Sequence, residues 1–582
     1  MDPMNSNSSI GVSKPPTPGQ PRPEEAPTGV SAGRDVTVYD QNQSIFFCLP
    51  DEKKSMIISY LGFREITRLK KVCRYFRDLV ENHKLLEKAW YRRFSSPHQH
   101  QLKTIVKTKD EQQLRDWLSP FAPQGTVESM VKQRLSTYFP ALLLFNNSRL
   151  MSECEQFKLV KKNEISHFDE VYTASFSADA SFIMASDDGS LTICVRKTDG
   201  SWEAEDTINL DGAVFAASFS SDTCHFLTSD GDNSETAKIH AQGKDGSWEV
   251  KATITHEGGI ISATFSPDDR YLLTVSQYNW VKIHGQKTDG LWEEKAALKH
   301  DNTIMSFSFS SDSRHLLIAS SYNTVTIYGL EDDGSWDVKA TITHEGKIFS
   351  ATFSADNRRL VTTADDRTAK ICDLQDDGSW RETATIAHDD TVFSTILSHD
   401  SCYLVTITQR KVRIFHDNAI YSASFIADSR HLVSASEDNS AKAHSHKAAG
   451  SWVKNATISH KKGIHSATLS PDGQHLAING TDNKVIIYGL GEDGSWKKET
   501  VICHKGHFSE ATFSPDGTHL VTWADNDKTA KIYGLGPEGT WLKKAIIAHE
   551  EGISSATFSP DGRHVLTISN DHKVRITELQ KL

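Results

Sequence analysis

Residues 344–380 read HEGKIFSATFSADNRRLVTTADDRTAKICDLQDDGSW, and the phrase recurs along the chain at a period of about 44 residues. Its relatives open at His167, Leu210, His256, His300, His388, His416, His460, His504 and His549, which with His344 makes ten units. Inside each unit a strand-like phrase such as SATFS is followed, two residues past its Ser, by an Asp. Alternating runs of the LVT and AKI kind come next, and a D-G turn leads through Trp into a further strand. Four short strands per copy, at a period in the forties, predict the blades of a β-propeller and a mainly β fold class.

The unit at His344 carries Asp366, Thr368, Lys370 and Ile371 in a D-x-T-x-K-I phrase, with Cys372-Asp373 after it. On these residues the array resembles the WD-repeat family, although the Trp-Asp pair itself is absent. Tyr-Gly takes its place at Tyr328-Gly329, Tyr488-Gly489 and Tyr533-Gly534. The resemblance implies a buried hydrogen-bond network between the opening His and the Asp that separates second and third strands. His344 with Asp366, His460 with Asp482 and His549 with Asp571 are its expected members. Tyr278 and Tyr322 occupy that Asp position in two other units, so those blades are expected to be held mainly by packing.

The Asp-Gly-Ser-Trp phrase at Asp199, Asp245, Asp333, Asp377 and Asp493 faintly resembles the Asp-box of sialidases. Asp-Gly suits a tight hairpin and Trp suits the sealing of a blade edge, so the phrase is assigned to structure. The recurring His residues are assigned likewise, because catalysis needs groups that converge on one place. The unit at His388 departs from the pattern: only 28 residues separate it from His416, and its turn and fourth strand are missing. The segment FKLVKKNEISH ahead of Asp169 is a candidate orphan fourth strand, closing either that unit or the C-terminal one. Ten units permit one large ring or two smaller ones divided near His416.

Ahead of the array, residues 49–90 read LPDEKKSMIISYLGFREITRLKKVCRYFRDLVENHKLLEKAW. Asp51 and Glu52 follow Pro50, as at a helix start. Met56, Ile57, Tyr60 and Leu61 form an apolar stripe that Gly62 is placed to end. Ile66, Leu69, Val72, Cys73, Phe76 and Leu79 continue at three- and four-residue spacing between basic residues. A segment this small buries little surface alone, so part of that face is expected to await a partner. With Leu49-Pro50 at its front, Val72-Cys73-Arg74 in its middle and Leu85 and Trp90 behind, the segment resembles the F-box, a small all-α module.

The chain is 582 residues long, with 37% hydrophobic and 24% charged residues, as expected of a multidomain soluble protein. No apolar run has the length that spans a bilayer, and the N-terminus lacks the pattern of a secretory signal. The eight cysteines are scattered without a C-x-x-C pair, which favours a reducing compartment, cytoplasmic or nuclear, and argues against structural zinc. Up to residue 150 there are 22 Lys and Arg against 15 Asp and Glu; beyond it, 42 against 61. An acidic array is a poor nucleic-acid surface.

Four regions follow: a Pro/Ser-rich tail at 1–43, expected to be disordered, the helical module at 44–95, a helical linker at 96–155, and the propeller array at 156–582. In the linker, helix-like stretches lie near 110–118 and 127–138, broken by Pro120, Pro123 and Gly125. The tail reads equally as a floppy terminus or as the leader of a bacterial protein delivered into host cells.

An F-box followed by a WD-repeat propeller resembles the substrate receptors of Skp-cullin-F-box ubiquitin ligases. That implies a non-catalytic adaptor without cofactor or metal, whose helices bind a Skp-family adaptor on a cullin scaffold and whose propeller holds a target protein. Leu49, Pro50, Ile57, Leu61, Leu69, Val72 and Trp90 are the residues expected at the adaptor interface or in its support. Tyr278, Trp280, Tyr322, Asn323 and Arg367, in loops joining second to third strands, are the candidates for target contact. Some such receptors read phosphorylated targets through an Arg cluster; no motif carries those arginines over, and the acidic array favours a basic or neutral target. Three alternatives stand beside this reading: a WD-repeat scaffold with no ligase role, a bacterial effector that mimics a host F-box protein in host cytoplasm, and a hydrolase-like propeller.

Overall fold

The repeat grammar becomes antiparallel sheet wherever it is intact. The computed structural model describes residues 50–582 apart from 60, 62, 93, 95–98, 100–110, 120–122, 133, 135–138, 168–169, 188, 198–199, 210–215, 230–234, 244–246, 288–289, 389–390, 398–403, 409–419, 426–430, 437–439, 447–451, 460–463, 481–482, 492–494, 506 and 537–538. The chain divides into two compact units, Met1–Lys54 and Ser55–Leu582. Only residues 50–54 of the first are described, so the tail and Leu49 lie outside the described residues.

Among the described residues the array forms nine four-stranded sheets and one two-stranded sheet, ten blades in all. Blade 5 is representative, with strands Ile348–Phe353, Arg359–Ala364, Thr368–Leu374 and Trp380–Ala387 in sequence order across the sheet. Its Ser354 hydroxyl donates to Asp356 Oδ1 at 2.6 Å and accepts the Arg359 N–H at 2.9 Å, closing the turn between first and second strands. Ser266 with Asp268 and Ser559 with Asp561 repeat that turn, which explains the Asp two residues past each Ser. The unit at His388 has two described strands, Val392–Leu397 and Leu404–Thr408; the run at 411–415 lies outside the described residues.

The orphan strand closes the C-terminal blade. Phe157–Ser166 pairs antiparallel with Lys573–Lys581 from Phe157↔Lys581 to Ser166↔Lys573, as the outermost strand of blade 10. Arg575 Nη2 to Glu164 Oε2 at 2.8 Å and Lys162 Nζ to Glu578 Oε2 at 2.9 Å tie the two strands further.

One ring results, not two. Each blade packs on the next in sequence and blade 10 packs on blade 1, where Ile165, Leu566, Ile568 and Val574 share a core with Ile183, Ala185 and Trp202. The opening His residues staple this succession. His344 belongs to blade 4 by its backbone, donating N–H to Asn323 O at 2.8 Å, and to blade 5 by its imidazole, bonded to Thr362 and Asp366. His167 does the same across the seam: its N–H reaches His572 O of blade 10 at 2.9 Å, and its Nδ1 reaches Asp187 Oδ2 of blade 1 at 3.1 Å.

Among the described residues seven helices precede the ring: α1 (Asp51–Ile58), α2 (Phe63–Val72), α3 (Arg74–Asn82), α4 (Leu85–Tyr91), α5 (Glu111–Leu118), α6 (Gln124–Val131) and α7 (Phe139–Glu153). The run expected to continue at helical spacing from Ile66 to Leu79 is broken at Cys73, whose backbone is extended. The second linker stretch starts earlier than expected, with Gly125 inside α6, and α7 was not anticipated. Trp90 and Phe94 share a core with Leu114, Leu118, Val127, Met130, Leu143 and Leu144, so α4 to α7 pack together. At its far end α7 joins the ring, where Met151 and Cys154 pack with Phe157, Val521, Trp523 and Phe558.

Candidate functional site

Two surfaces carry the residues that the sequence singles out. The first is on the front helices. Ile66, Leu79, Val80, Leu85 and Ala89 are buried there, yet Met56, Ile57, Leu61, Val72 and Tyr75 stay exposed, Val72 at 67%. Large apolar groups held in water beside a packed core mark a face that another surface covers. Arg92 positions it: its guanidinium donates to Ser59 O and to Leu61 O, the latter at 3.1 Å, fixing the chain between α1 and α2.

Of the expected adaptor residues, Pro50, Ile57, Leu61 and Val72 are exposed and Leu69 is half-buried. Trp90 is 4% exposed, edge-on to Phe94 at 4.9 Å and Phe145 at 5.6 Å, which leaves it the supporting role and not contact. Tyr60 and Gly62 lie outside the described residues.

A connection from these helices to the ring went unnoticed in the sequence. Lys544, on the outermost strand of blade 9, is buried and donates to Ser152 O at 3.3 Å and to Cys154 O at the end of α7. Burial lowers its ammonium pKa. Lysines at the same strand position in other blades, such as Lys251 and Lys295, pair instead with Glu249 and Glu293 nearer the solvent.

The second surface is the ring face that carries the turns between second and third strands. Tyr278, Tyr322 and Arg367 are exposed there, and Trp280 and Asn323 are half-buried. These turns belong to three consecutive blades, so the five candidates share one sector. Trp280 is partly occupied, with Lys299 Nζ 5.1 Å from its ring centre. Tyr278 lies over Gly258, where φ is +82° and any Cβ would stand 2.5 Å from the ring.

The network beneath this face is uneven. His344 Nδ1 is 2.9 Å from Asp366 Oδ2, and its Nε2 is 2.8 Å from Thr362 Oγ1. Burial lowers the imidazole pKa. Burial also opposes ionisation of Asp366, but hydrogen bonds from Thr368, Glu345 N–H and His344 outweigh it and hold the carboxyl below its ordinary value. His504 with Asp527 at 2.9 Å and His167 with Asp187 at 3.1 Å are further members that the sequence reading missed. His549 and Asp571 stand 4.0 Å apart without a hydrogen bond, and His460 and Asp482 lie outside the described residues. In blade 3 half the network survives the loss of Asp, since His256 still meets Thr274 Oγ1 at 2.7 Å.

Among the described residues no group of three or more His, Cys, Asp or Glu is arranged to hold a metal ion, and no helix is long and apolar enough to cross a membrane.

Residues 46–94 match the F-box-like family. Five stretches, 248–284, 336–373, 408–444, 452–489 and 541–577, match the WD domain, G-beta repeat family. The first, second, fourth and fifth of these begin on the Trp-led outer strand of one blade and end on the third strand of the next. The chain is an F-box-like domain followed by WD repeats, mainly β, with its helices at the front. Among solved structures it is similar to Sqt1 of Saccharomyces cerevisiae, at 15% identity over 63% of this chain and 96% of that one, TM-score 0.41. It is similar also to Sqt1 of Chaetomium thermophilum, at 14% identity over 63% and 96%, TM-score 0.41. No curated protein matches the chain.

Proposed function

We propose that this chain is the substrate-recognition adaptor of a Skp-cullin-F-box-type ubiquitin ligase, working in cytoplasm or nucleus. The single observation that carries the reading is the uncovered apolar face of Met56, Ile57, Leu61, Val72 and Tyr75 within the F-box-like segment. A Skp-family adaptor covers that face, and the ring holds a target protein. A separate conjugating enzyme performs the transfer, and this chain supplies proximity and orientation of the target lysine. The coupling of α7 to blade 9 through Met151 and Lys544 supports that division of labour, because it fixes the ring relative to the helices.

The test is co-purification of the full chain with a Skp-family adaptor. Ile57→Asp and Val72→Asp should abolish capture while the urea midpoint stays that of the wild type, since both side chains are already in water. Leu49→Ala with Pro50→Ala should weaken it. Capture that survives both Asp substitutions, or no capture of the wild type, overturns the reading in favour of a scaffold without ligase role.

A further inference from the structure

The first strands of blades 3 to 6 share an irregularity. Ile260 pairs with Ser276 and Ser262 with Val275, so Ile261 is an extra residue in the ladder. Met305 in blade 4, Phe349 in blade 5 and Phe393 in blade 6 are the extra residues of the same bulge. A bulge re-aims the side chain of its unpaired residue. Here it turns large apolar groups toward water: Ile261, Met305 (52%) and Phe393 are exposed, and Phe349 lies half-buried against Phe393 with ring centres 4.8 Å apart. Ile261, Met305, Phe349 and Phe393 thus make an apolar arc; the same bulge recurs in blades 7 to 10, where the extra residues are Tyr421, His465, Phe508 and Ser554.

The ladder places each bulge at the end of the blade that also carries the turn between second and third strands. Tyr278 and Tyr322, 61% and 67% exposed, therefore stand on the same face as Ile261 and Met305. Aromatic side chains and Met are the residues that anchor protein interfaces.

The loops around the arc are acidic. Glu257, Asp301, Glu345 and Asp365 are exposed on them, against Lys347, whose ammonium stands 5.9 Å from the Phe349 ring centre, and Arg367. Lys282 and Lys370 are turned onto Thr255 O and Thr343 O, both at 2.8 Å, and Lys299 onto Tyr278 O at 2.5 Å.

We propose that this face of blades 3 to 6 binds a protein segment whose large apolar side chain is flanked by Lys or Arg. The apolar residue sits on the bulge arc, and the flanking cations meet Glu257, Asp301, Glu345 and Asp365. A phosphorylated segment would meet the same carboxylates and is repelled. The inference deepens, and rests on, the target-holding half of the reading above.

Three labelled peptide pools test it on the full chain: a central Leu, Met, Phe or Trp flanked by Lys and Arg, by Glu, or by phosphoserine. The basic pool should bind and weaken as salt is raised. Met305→Ser and Tyr322→Ser should each reduce its affinity about 10-fold, and Asp301→Lys with Glu345→Lys should shift preference toward the Glu pool. All four side chains are exposed, and an unchanged urea midpoint shows that the variants fold.

Equal binding of the Glu or phosphoserine pool, indifference to Met305→Ser, or no binding of the basic pool overturns the proposal. So does concentration-dependent dimerisation that Met305→Ser abolishes, which would assign the face to a second copy of the chain. Adaptor capture by the same samples separates the two readings: capture without peptide selectivity removes this inference alone. Peptide selectivity without capture sustains it and removes the ligase role.

Discussion

Trp202 of the first blade stands edge-on to His564 of the last, ring centres 5.8 Å apart and planes at 85°. Trp380 meets His315 of the preceding blade in the same way, at 5.5 Å and 88°, and Trp541 meets His475 at 5.2 Å and 88°. The Trp of the Asp-Gly-Ser-Trp phrase is therefore a seal between neighbouring blades, and the seam uses the same seal as the interior of the ring. Trp202→Ala should destabilise the ring by about 3 kcal/mol, measured by urea unfolding, and Trp380→Ala by a similar amount. A much smaller loss for Trp202 would mean that the seam is held elsewhere.

Arg92 links the C-terminal end of α4 to the loop that presents Leu61. Arg92→Ala removes donors from two carbonyls and should weaken capture of a Skp-family adaptor by roughly 1 kcal/mol, about fivefold. Hydrogen exchange at Ser59 and Leu61 should quicken while the blades are unchanged. Altered exchange in the blades would show that Arg92 acts on the fold at large.

Lys544→Met keeps the length of the side chain but leaves the carbonyls of Ser152 and Cys154 without its ammonium. A loss of about 2 kcal/mol is expected, with faster hydrogen exchange confined to α7 and its neighbours. Because Lys251 occupies the same strand position in solvent, Lys251→Met should change the urea midpoint little.

Buried imidazoles set the response to acid. Burial, with Lys282 beside it, holds His256 at about 4, and burial with Arg575 nearby holds His549 at about 4. Burial does the same to His240 and His284. Unfolded, these groups take up protons near 6.5, so between about 6.5 and 4 the unfolded chain binds protons that the folded chain refuses. Stability should be flat above pH 7 and fall as pH drops through that window. The carboxylates of Asp187 and Asp366 are held below their ordinary 3.8, so their contribution is lost only at lower pH. Urea midpoints taken between pH 7.5 and pH 5 check this, and His256→Gln should flatten the slope. A midpoint that rises on acidification would contradict it.

Local features were the readable part of the sequence. The period, the Ser-x-Asp turn and the Trp-led strand each depend on residues a few positions apart, and each emerges as expected. The closure was half readable: residues 157–166 announce a strand without a sheet, but only contacts such as Arg575 with Glu164, 411 positions apart, decide its partner. His167 with Asp187 and His504 with Asp527 escaped notice because their spacings are 20 and 23, against 22 for His344 with Asp366. Helix α7 escaped because Ala141, Leu142, Leu143, Leu144 and Phe145 form an unbroken apolar run with no helical period. Its character comes from burial at both ends, Leu143 and Leu144 in the helical core and Met151 against the ring. The bulge residues escaped too, because an extra residue in a strand leaves no mark in a pattern of alternation.

The pairing of Phe157–Ser166 with Lys573–Lys581 gives the ring a birth order. A ribosome releases the first of these strands well before the second, so the outer member of the tenth blade exists before the three strands it joins. Until Lys573–Lys581 has been made, Phe157–Ser166 offers its backbone to any passing edge, including that of a sibling chain on the same message. Closure of the ring thus waits on one pairing, and a chain that lacks Lys573–Lys581 is left unclosed and open to misassembly.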